Sequence, residues 1–289
     1  MTNWILAARP KTLPAAVVPV WLGTLSAWHD TGTVSVWLAA STLASVICIQ
    51  IATNLFNDAL DAQKGADTPQ RLGPVRVTAS GRLPVRVVLW AGLACCGAAA
   101  LFGLPLIAAR GPVILGIGVT SLLLAYAYTG GPYPLAYRGL GELFVILFFG
   151  LVATLGSYFV QTGLVGGVTT WIVALQIGCL SSALIAINNF RDAAEDATTG
   201  KRTLAVRWGP TFARWEITAF CFGPLLLGFL AWPGEAAAGL PWVALPLSAL
   251  ICRGVWTQPA GSIYNRYLAL AGVQLVAFAI LLSIALIAF

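Results

Sequence analysis

An all-α polytopic membrane protein is the fold class that this chain predicts, and three observations carry the prediction. Of its 289 residues, 59% are hydrophobic and 9% charged, with a mean hydropathy of +0.87. Water-soluble domains carry about a quarter charged residues, so an ordinary soluble fold is excluded. The apolar residues fall in runs of bilayer-spanning length separated by short polar stretches, and the strict alternation of a membrane barrel is absent. Helices remain, because they satisfy their own backbone hydrogen bonds in lipid. Third, the charges are sorted: counted loop by loop, every one of the 16 basic residues except Arg110 falls on the amino-terminal side of the membrane.

In chain order, a first helix is expected over residues 14–28, with Arg9, Pro10 and Lys11 leading in and Pro19 placed to kink it. A second covers 34–56 and ends on a polar cluster; a third and fourth cover 85–104 and 112–128, parted by a turn carrying Arg110. The loop YTGGPYPLAYRGLGE follows, its Gly and Pro content arguing against helix. Helices over 143–161 and 168–190 come next, the latter ending on a second polar cluster. The last three are expected over 212–232, 240–253 and 267–289, the eighth broken by Pro241 and Pro246. Nine crossings put the two termini on opposite sides. The positive-inside rule then gives a cytoplasmic amino terminus, an external carboxyl terminus and a cytoplasmic polar cap formed by the long loops. No stretch marks a linker, so 1–289 is expected to be one transmembrane domain, and the start shows no removable signal peptide.

Several chemistries are disfavoured at once. Cys48, Cys95, Cys96, Cys179, Cys221 and Cys252 all lie in apolar runs without zinc-type spacing, and behave as small core residues. His29 is the sole histidine, which rules out a histidine triad or a multi-histidine metal site. The formal charge of +6 is topological and anion-facing, and nothing in it asks for nucleic acid.

The chemistry-bearing stretch is NLFNDALDAQKGADTPQRLGPVR, from Asn54 to Arg76. Asn54, Asn57, Asp58 and Asp61 stand three and four apart, so they share a face if the preceding helix continues through them. Oxygen donors suit a hard cation such as Mg2+, which is held by one or two carboxylates together with substrate phosphates. Lys64, Arg71 and Arg76 follow at once, with the charge that a phosphorylated ligand requires. A second copy, NNFRDAAEDATTGKRTLAVR, repeats the order of parts: Asn188, Asn189, Asp192, Glu195 and Asp196, then Lys201, Arg202 and Arg207. Two acidic helix ends facing one cavity make a multi-metal diphosphate site, suited to stabilising a departing pyrophosphate. A loop that merely set topology would not need the duplication.

These stretches resemble the UbiA-type intramembrane aromatic prenyltransferases, and within them the 1,4-dihydroxy-2-naphthoate branch of menaquinone synthesis. The resemblance runs through ARPKTLPAAVVPVWLGT, NLFNDALDAQKGAD, RLGPVR, YTGGPYP, GLGELFVILFFG and the second motif, in order over nearly the whole chain. In the first motif Asn57 and Asp61 match the family pattern, while the third position is Gly65, with Asp58 and Asp67 as the acids nearby. In the second, Asp192 and Asp196 match and Asn188 keeps the register one turn earlier. Arg138 resembles the cation that the family sets on the diphosphate from the loop after its fourth helix, with Tyr133 or Tyr137 as the tyrosine of that motif.

The resemblance implies Mg2+-assisted ionisation of an allylic polyprenyl diphosphate, capture of the allyl cation by an electron-rich aromatic acid, and loss of the naphthoate carboxylate. The expected catalytic residues are Asp58, Asp61, Asp192, Asp196 and Arg138. Asn54, Asn57, Lys64, Arg71, Asn188 and Lys201 are expected on the diphosphate, and Asn57, Asp61, Asp192 and Asp196 on the metal. A homogentisate or 4-hydroxybenzoate acceptor, or a phytyl donor, is the alternative within the family. A secondary transporter is the more distant one; it would set acids at mid-membrane rather than at helix ends.

Overall fold

The structure, a computed structural model, describes residues 2–67, 72–232 and 236–288, and no strand occurs among them. Seven of its helices are long and apolar enough to cross a bilayer: α2 (Val36–Gln63), α3 (Val85–Arg110), α5 (Gly141–Thr162), α6 (Val168–Thr198), α7 (Leu204–Ala231), α8 (Gly239–Thr257) and α9 (Tyr264–Ala288). With α1 (Leu13–Thr31) and the shorter apolar α4 (Pro112–Ala127), the described residues give the nine expected helices.

Two departures from the expected bounds fall at the functional ends. α2 has 28 residues and α6 has 31. At about 1.5 Å per residue they reach roughly 42 and 46 Å, well beyond a hydrocarbon core of about 30 Å. The surplus turns are those that carry Asn57 to Asp61 and Asp192 to Asp196, so these acidic residues stand on helix rather than loop.

Other departures have local causes. A short helix, Thr2–Ala8, precedes Arg9, which takes a left-handed conformation (φ 51°) and turns the chain into α1. α5 contains a π-helical segment, Ile146–Val152, where Gly150 meets Gly178 of α6. A Cβ on Gly150 would lie 2.6 Å from the Gly178 Cα, so only glycine allows the two helices this approach. α7 starts earlier than expected and kinks at Gly209 (φ 79°), ahead of Pro210. In the eighth segment, Pro241 lies in a 3-10 stretch, Ala236–Ala244, and Pro246 in the first turn of the α-helix that follows it. Within the Gly- and Pro-rich loop after α4, Leu135–Tyr137 forms one 3-10 turn.

α2 packs along α3, and α6 along α7, so each acidic helix has an apolar partner that follows it in the chain. The main core is formed where α1, α6, α7 and α9 meet, around Leu22, Ile177, Leu225, Phe278 and Leu282. Polar contacts fix the two ends of the bundle. At one end Asn54 Nδ2 donates to the Ala8 carbonyl (2.8 Å) and Asn265 Nδ2, at the start of α9, donates to the Leu72 carbonyl (2.9 Å). At the other end His29 Nδ1 lies 2.8 Å from the Leu286 carbonyl, and Tyr158 donates to Asp30 (2.7 Å). There Arg110 covers the carbonyls of Phe159, Val160 and Gln161 at the end of α5, so its one charge closes a helix end.

Candidate active site

The last turns of α2 carry the first cluster. Asp61 is 3% exposed and three groups converge on it: the Tyr137 hydroxyl donates to Oδ1 (2.8 Å), while Arg76 Nη2 (3.4 Å) and Lys201 Nζ (3.3 Å) reach Oδ2. Lys201 comes from the second motif, so this carboxylate already joins the two halves of the chain. Arg76 also donates from Nε to Asp67 (3.3 Å). Lys64 and Lys201 lie over the Tyr137 ring, 4.3 and 5.1 Å from its centroid, a placement favoured by the electron-rich ring face. Burial, and after it the Asp61 carboxylate, push the Tyr137 hydroxyl well above its ordinary value, so it stays protonated as a donor. Burial lowers the Lys64 ammonium; Asp61 opposes that shift and Lys201 adds to it.

The second cluster is built on one buried cation. Arg191 is 2% exposed and grips Asp192 with two bonds, Nε to Oδ1 (2.7 Å) and Nη2 to Oδ2 (2.6 Å). Its remaining donors reach Asn188 Oδ1 (2.8 Å) and Asn265 Oδ1 (2.6 Å). A buried guanidinium with this many acceptors is satisfied without water, and it holds the Asp192 carboxylate in one orientation.

Both clusters open on one cavity of about 1380 Å³. Its polar end is lined by Asn54, Asn57, Asp61, Asn188, Asp192 and Asp196, with Arg9, Lys11, Arg76 and Lys201 among them. Its far end runs deep between helices and is apolar, reaching Leu106, Ile114, Val160, Val276 and Ile280. Ligand pockets usually hold about 300–1,000 Å³, so this one has room for a long apolar tail below an ionic head.

The expected residues divide by position. Asp58 is held away from the cavity wall: its oxygens accept from the backbone N–H groups of Thr78 (2.9 Å) and Val77 (3.3 Å), and Arg9 lies 4.0 Å off. Of the two acids offered for the displaced third position, Asp67 is the one tied into the Asp61 network, through Arg76. Asn57 accepts from the Thr129 hydroxyl, and Asn54 is engaged with Ala8 and Thr12. Tyr137, rather than Tyr133, reaches the site. Arg138 is exposed, stacked 4.5 Å above the Tyr133 ring and off the cavity lining. Lys64 is near, bonded to the Thr129 carbonyl, and Arg71 lies outside the described residues.

Two contributors are not singled out by the sequence, and a third, Arg76, is named there only among the loop cations for a phosphorylated ligand. Arg191 reads as a topology charge beside Asp192 and Glu142 as part of a Gly-rich loop, while Arg76 reads as one of three cations for a phosphorylated ligand, not set apart from Lys64 and Arg71. Only their burial, at 2%, 2% and 8% exposure, distinguishes them.

A divalent cation fits the donor chemistry. Asn57, Asp61, Asp192 and Asp196 offer oxygen only, on the wall of one cavity. Among the described residues no three carboxylate, thiol or imidazole side chains cluster as a ready-made cage. Mg2+ matches that, since it usually completes its shell with water and substrate phosphates. Arg76 Nη1 is buried without a hydrogen-bond partner among the described residues, an orphaned donor on the cavity wall suited to an anion.

Comparison with known proteins agrees with this chemistry. The UbiA prenyltransferase family profile matches residues 16–261. A Mycobacterium leprae protein named 1,4-dihydroxy-2-naphthoate octaprenyltransferase is 35% identical over 98% of this chain and 96% of its own length. The Mycobacterium tuberculosis protein of the same name is 38% identical over 73% of this chain and 72% of its own. A UbiA homolog from Archaeoglobus fulgidus, solved with GPP and Mg2+, has the same fold, with a TM-score of 0.67 at 14% identity over 99% of this chain and 100% of that one. With two acidic helix ends on one cavity, a family profile over most of its length and relatives this similar, the chain belongs to the UbiA prenyltransferase family.

Proposed function

We propose that this protein transfers a polyprenyl group from an allylic polyprenyl diphosphate to 1,4-dihydroxy-2-naphthoate, with loss of the carboxylate as CO2, giving demethylmenaquinol, the reduced form of demethylmenaquinone, and diphosphate. The observation that carries the reading is the single cavity, ionic at one end and apolar at the other, shared by two acidic motifs from distant parts of the chain. The names of the mycobacterial relatives support the naphthoate acceptor over homogentisate or 4-hydroxybenzoate.

In this reading the diphosphate lies at the polar end, with Arg76 and Lys201 on its oxygens and Lys64 nearby. Asn57, Asp61, Asp192 and Asp196 hold the divalent cation, Mg2+ by its donor set. When bound, it supplies charge neutralisation on the departing diphosphate. Tyr137 and Arg191 orient Asp61 and Asp192 before substrate arrives, which removes reorganisation from the reacting step. The apolar depth takes the prenyl tail and keeps water from the allylic carbon. Residues 1–289 act as one membrane domain. Sorting of the basic residues supports an amino terminus and active site facing the cytoplasm, in a bacterial inner membrane, with the carboxyl terminus outside.

Product analysis tests the reading. Purified protein in liposomes, given Mg2+, a polyprenyl diphosphate and an equimolar mixture of the three aromatic acids, should yield demethylmenaquinol, read by mass spectrometry as demethylmenaquinone after air oxidation, as the main product. A main product from 4-hydroxybenzoate or homogentisate would reassign the acceptor, and no product from any would overturn the function.

A further inference from the structure

Glu142 is a buried carboxylate that the diphosphate chemistry does not use. It stands in the first turn of the helix that opens α5 and is 2% exposed. Oε1 accepts from Asn189 Nδ2 at 2.6 Å, and Ser182 Oγ fixes its backbone by donating to the carbonyl at 3.1 Å. Oε2 is buried with no hydrogen-bond partner among the described residues. A half-satisfied buried carboxylate is costly, and one on a cavity wall implies a ligand that completes it.

The surroundings say what kind of ligand. Tyr128, Phe144 and Phe148 line the same cavity as a run of rings: Phe144 and Phe148 are stacked with centroids 4.5 Å apart and planes 16° apart, and Tyr128 leans on Phe144 at 5.5 Å. Asn189, the partner of Glu142, stands between Asn188 and Asp192 on α6. A flat aromatic wall and an acceptor-only oxygen therefore adjoin the polar end of the cavity. A flat aromatic molecule bearing a hydroxyl donor satisfies both.

We propose that Glu142, backed by Asn189, is the acceptor-binding and proton-holding residue of this enzyme: Oε2 accepts the hydrogen bond of the ring hydroxyl adjacent to the carboxylate-bearing carbon. The proposal rests on the function given above. As that carbon bonds to the allylic carbon, the allylic C–O bond breaks and its electron pair leaves on the diphosphate. The hydroxyl proton passes to Oε2 and the ring oxygen becomes a carbonyl. Loss of CO2 returns its bonding pair to the ring, and the proton returns from Glu142 to the oxygen. The carboxylate borrows one proton and ends unchanged, so no further reactant is required. Asn189 is a positioning residue.

Glu142→Gln keeps the shape and an oxygen for Asn189 while removing the proton acceptor. Steady-state kinetics should show kcat/KM for 1,4-dihydroxy-2-naphthoate down by about 100-fold, with KM for the prenyl diphosphate within about threefold of wild type. 4-Hydroxy-2-naphthoate lacks the adjacent hydroxyl and cannot take this step, so it serves as a binding probe: it should bind wild type and Glu142→Gln with affinities within about threefold of each other, because the partner of Glu142 is gone. An affinity for 4-hydroxy-2-naphthoate lowered by as much as kcat/KM for the dihydroxy acid, or a loss below about threefold on the dihydroxy acid, overturns the proposal. Should the variant not fold, acceptor binding to wild type decides: the dihydroxy acid must bind at least about tenfold more tightly than 4-hydroxy-2-naphthoate, and equal affinities overturn the assignment. A wild type inactive on every acceptor would instead count against the proposed function.

Discussion

Tyr137 donates its hydroxyl to Oδ1 of Asp61 across 2.8 Å, tying the loop between α4 and α5 to the end of α2. The bond goes to a charged, 3% exposed acceptor, a class that contributes roughly 1.5–3 kcal/mol. Tyr137→Phe should lower kcat/KM for the prenyl diphosphate about tenfold or more, because Asp61 is then free to reorient toward Arg76 and Lys201. Tyr133→Phe, which keeps the ring under Arg138, should leave it unchanged. Steady-state kinetics on the pair checks both.

Asp58 and Asp61 should fail in opposite ways. Removing Asp58 leaves two buried backbone N–H groups, Val77 and Thr78, without their acceptor, at roughly 1–3 kcal/mol each. Asp58→Ala should therefore lower the detergent melting midpoint by several degrees. Asp61→Ala should fold and insert yet retain less than about a hundredth of wild-type turnover, the usual scale for a lost electrostatic group. A melting scan beside a turnover assay separates the two.

Arg191 is the cation whose loss should be least tolerated. Replacing it by Met leaves Asp192 buried and uncompensated, a change that typically costs about 3–5 kcal/mol. Lys at this position restores charge without the two parallel bonds to Asp192, so it should recover only part of the stability and activity. Denaturation midpoints of Arg191→Met and Arg191→Lys against wild type test the order.

Arg76 and Arg138 provide the contrast between a cavity cation and a surface one. Arg76 lines the cavity with a buried nitrogen that has no hydrogen-bond partner among the described residues, and Arg76→Ala should reduce kcat/KM for the prenyl donor by about 100-fold. Arg138 is exposed and stacked on an exposed ring, so Arg138→Ala should change it less than about threefold. Kinetics with each substrate varied in turn gives both values.

Local spacing made much of this legible. The i, i+4 pairs Asn57/Asp61 and Asp192/Asp196 place their members on one helix face, and those four do line one cavity. Asp58 satisfied the same spacing rule but was captured by backbone groups at Val77 and Thr78, a contact that no local pattern encodes. The choice between Tyr133 and Tyr137 depended on where a turn at Leu135–Tyr137 aimed each ring. Arg191 lay between two motif residues and read as a membrane-sidedness signal; its bond to Asn265 of α9, distant in the chain, is a contact that no local pattern encodes. Hydropathy found nine helices but not how far α2 and α6 continue, because the polar turns that extend them lie outside the apolar runs that mark a span.

The central claim is that Asp61 and Asp192, carried on α2 and α6, serve one diphosphate. Calorimetric binding of a non-reactive polyprenyl thiolodiphosphate, with and without Mg2+, tests it on wild type, Asp61→Asn and Asp192→Asn. The account predicts Mg2+-dependent binding at a single site, weakened about 100-fold by either substitution alone. Binding that either substitution left at wild-type strength would show that its motif does not share that site, and would contradict the account.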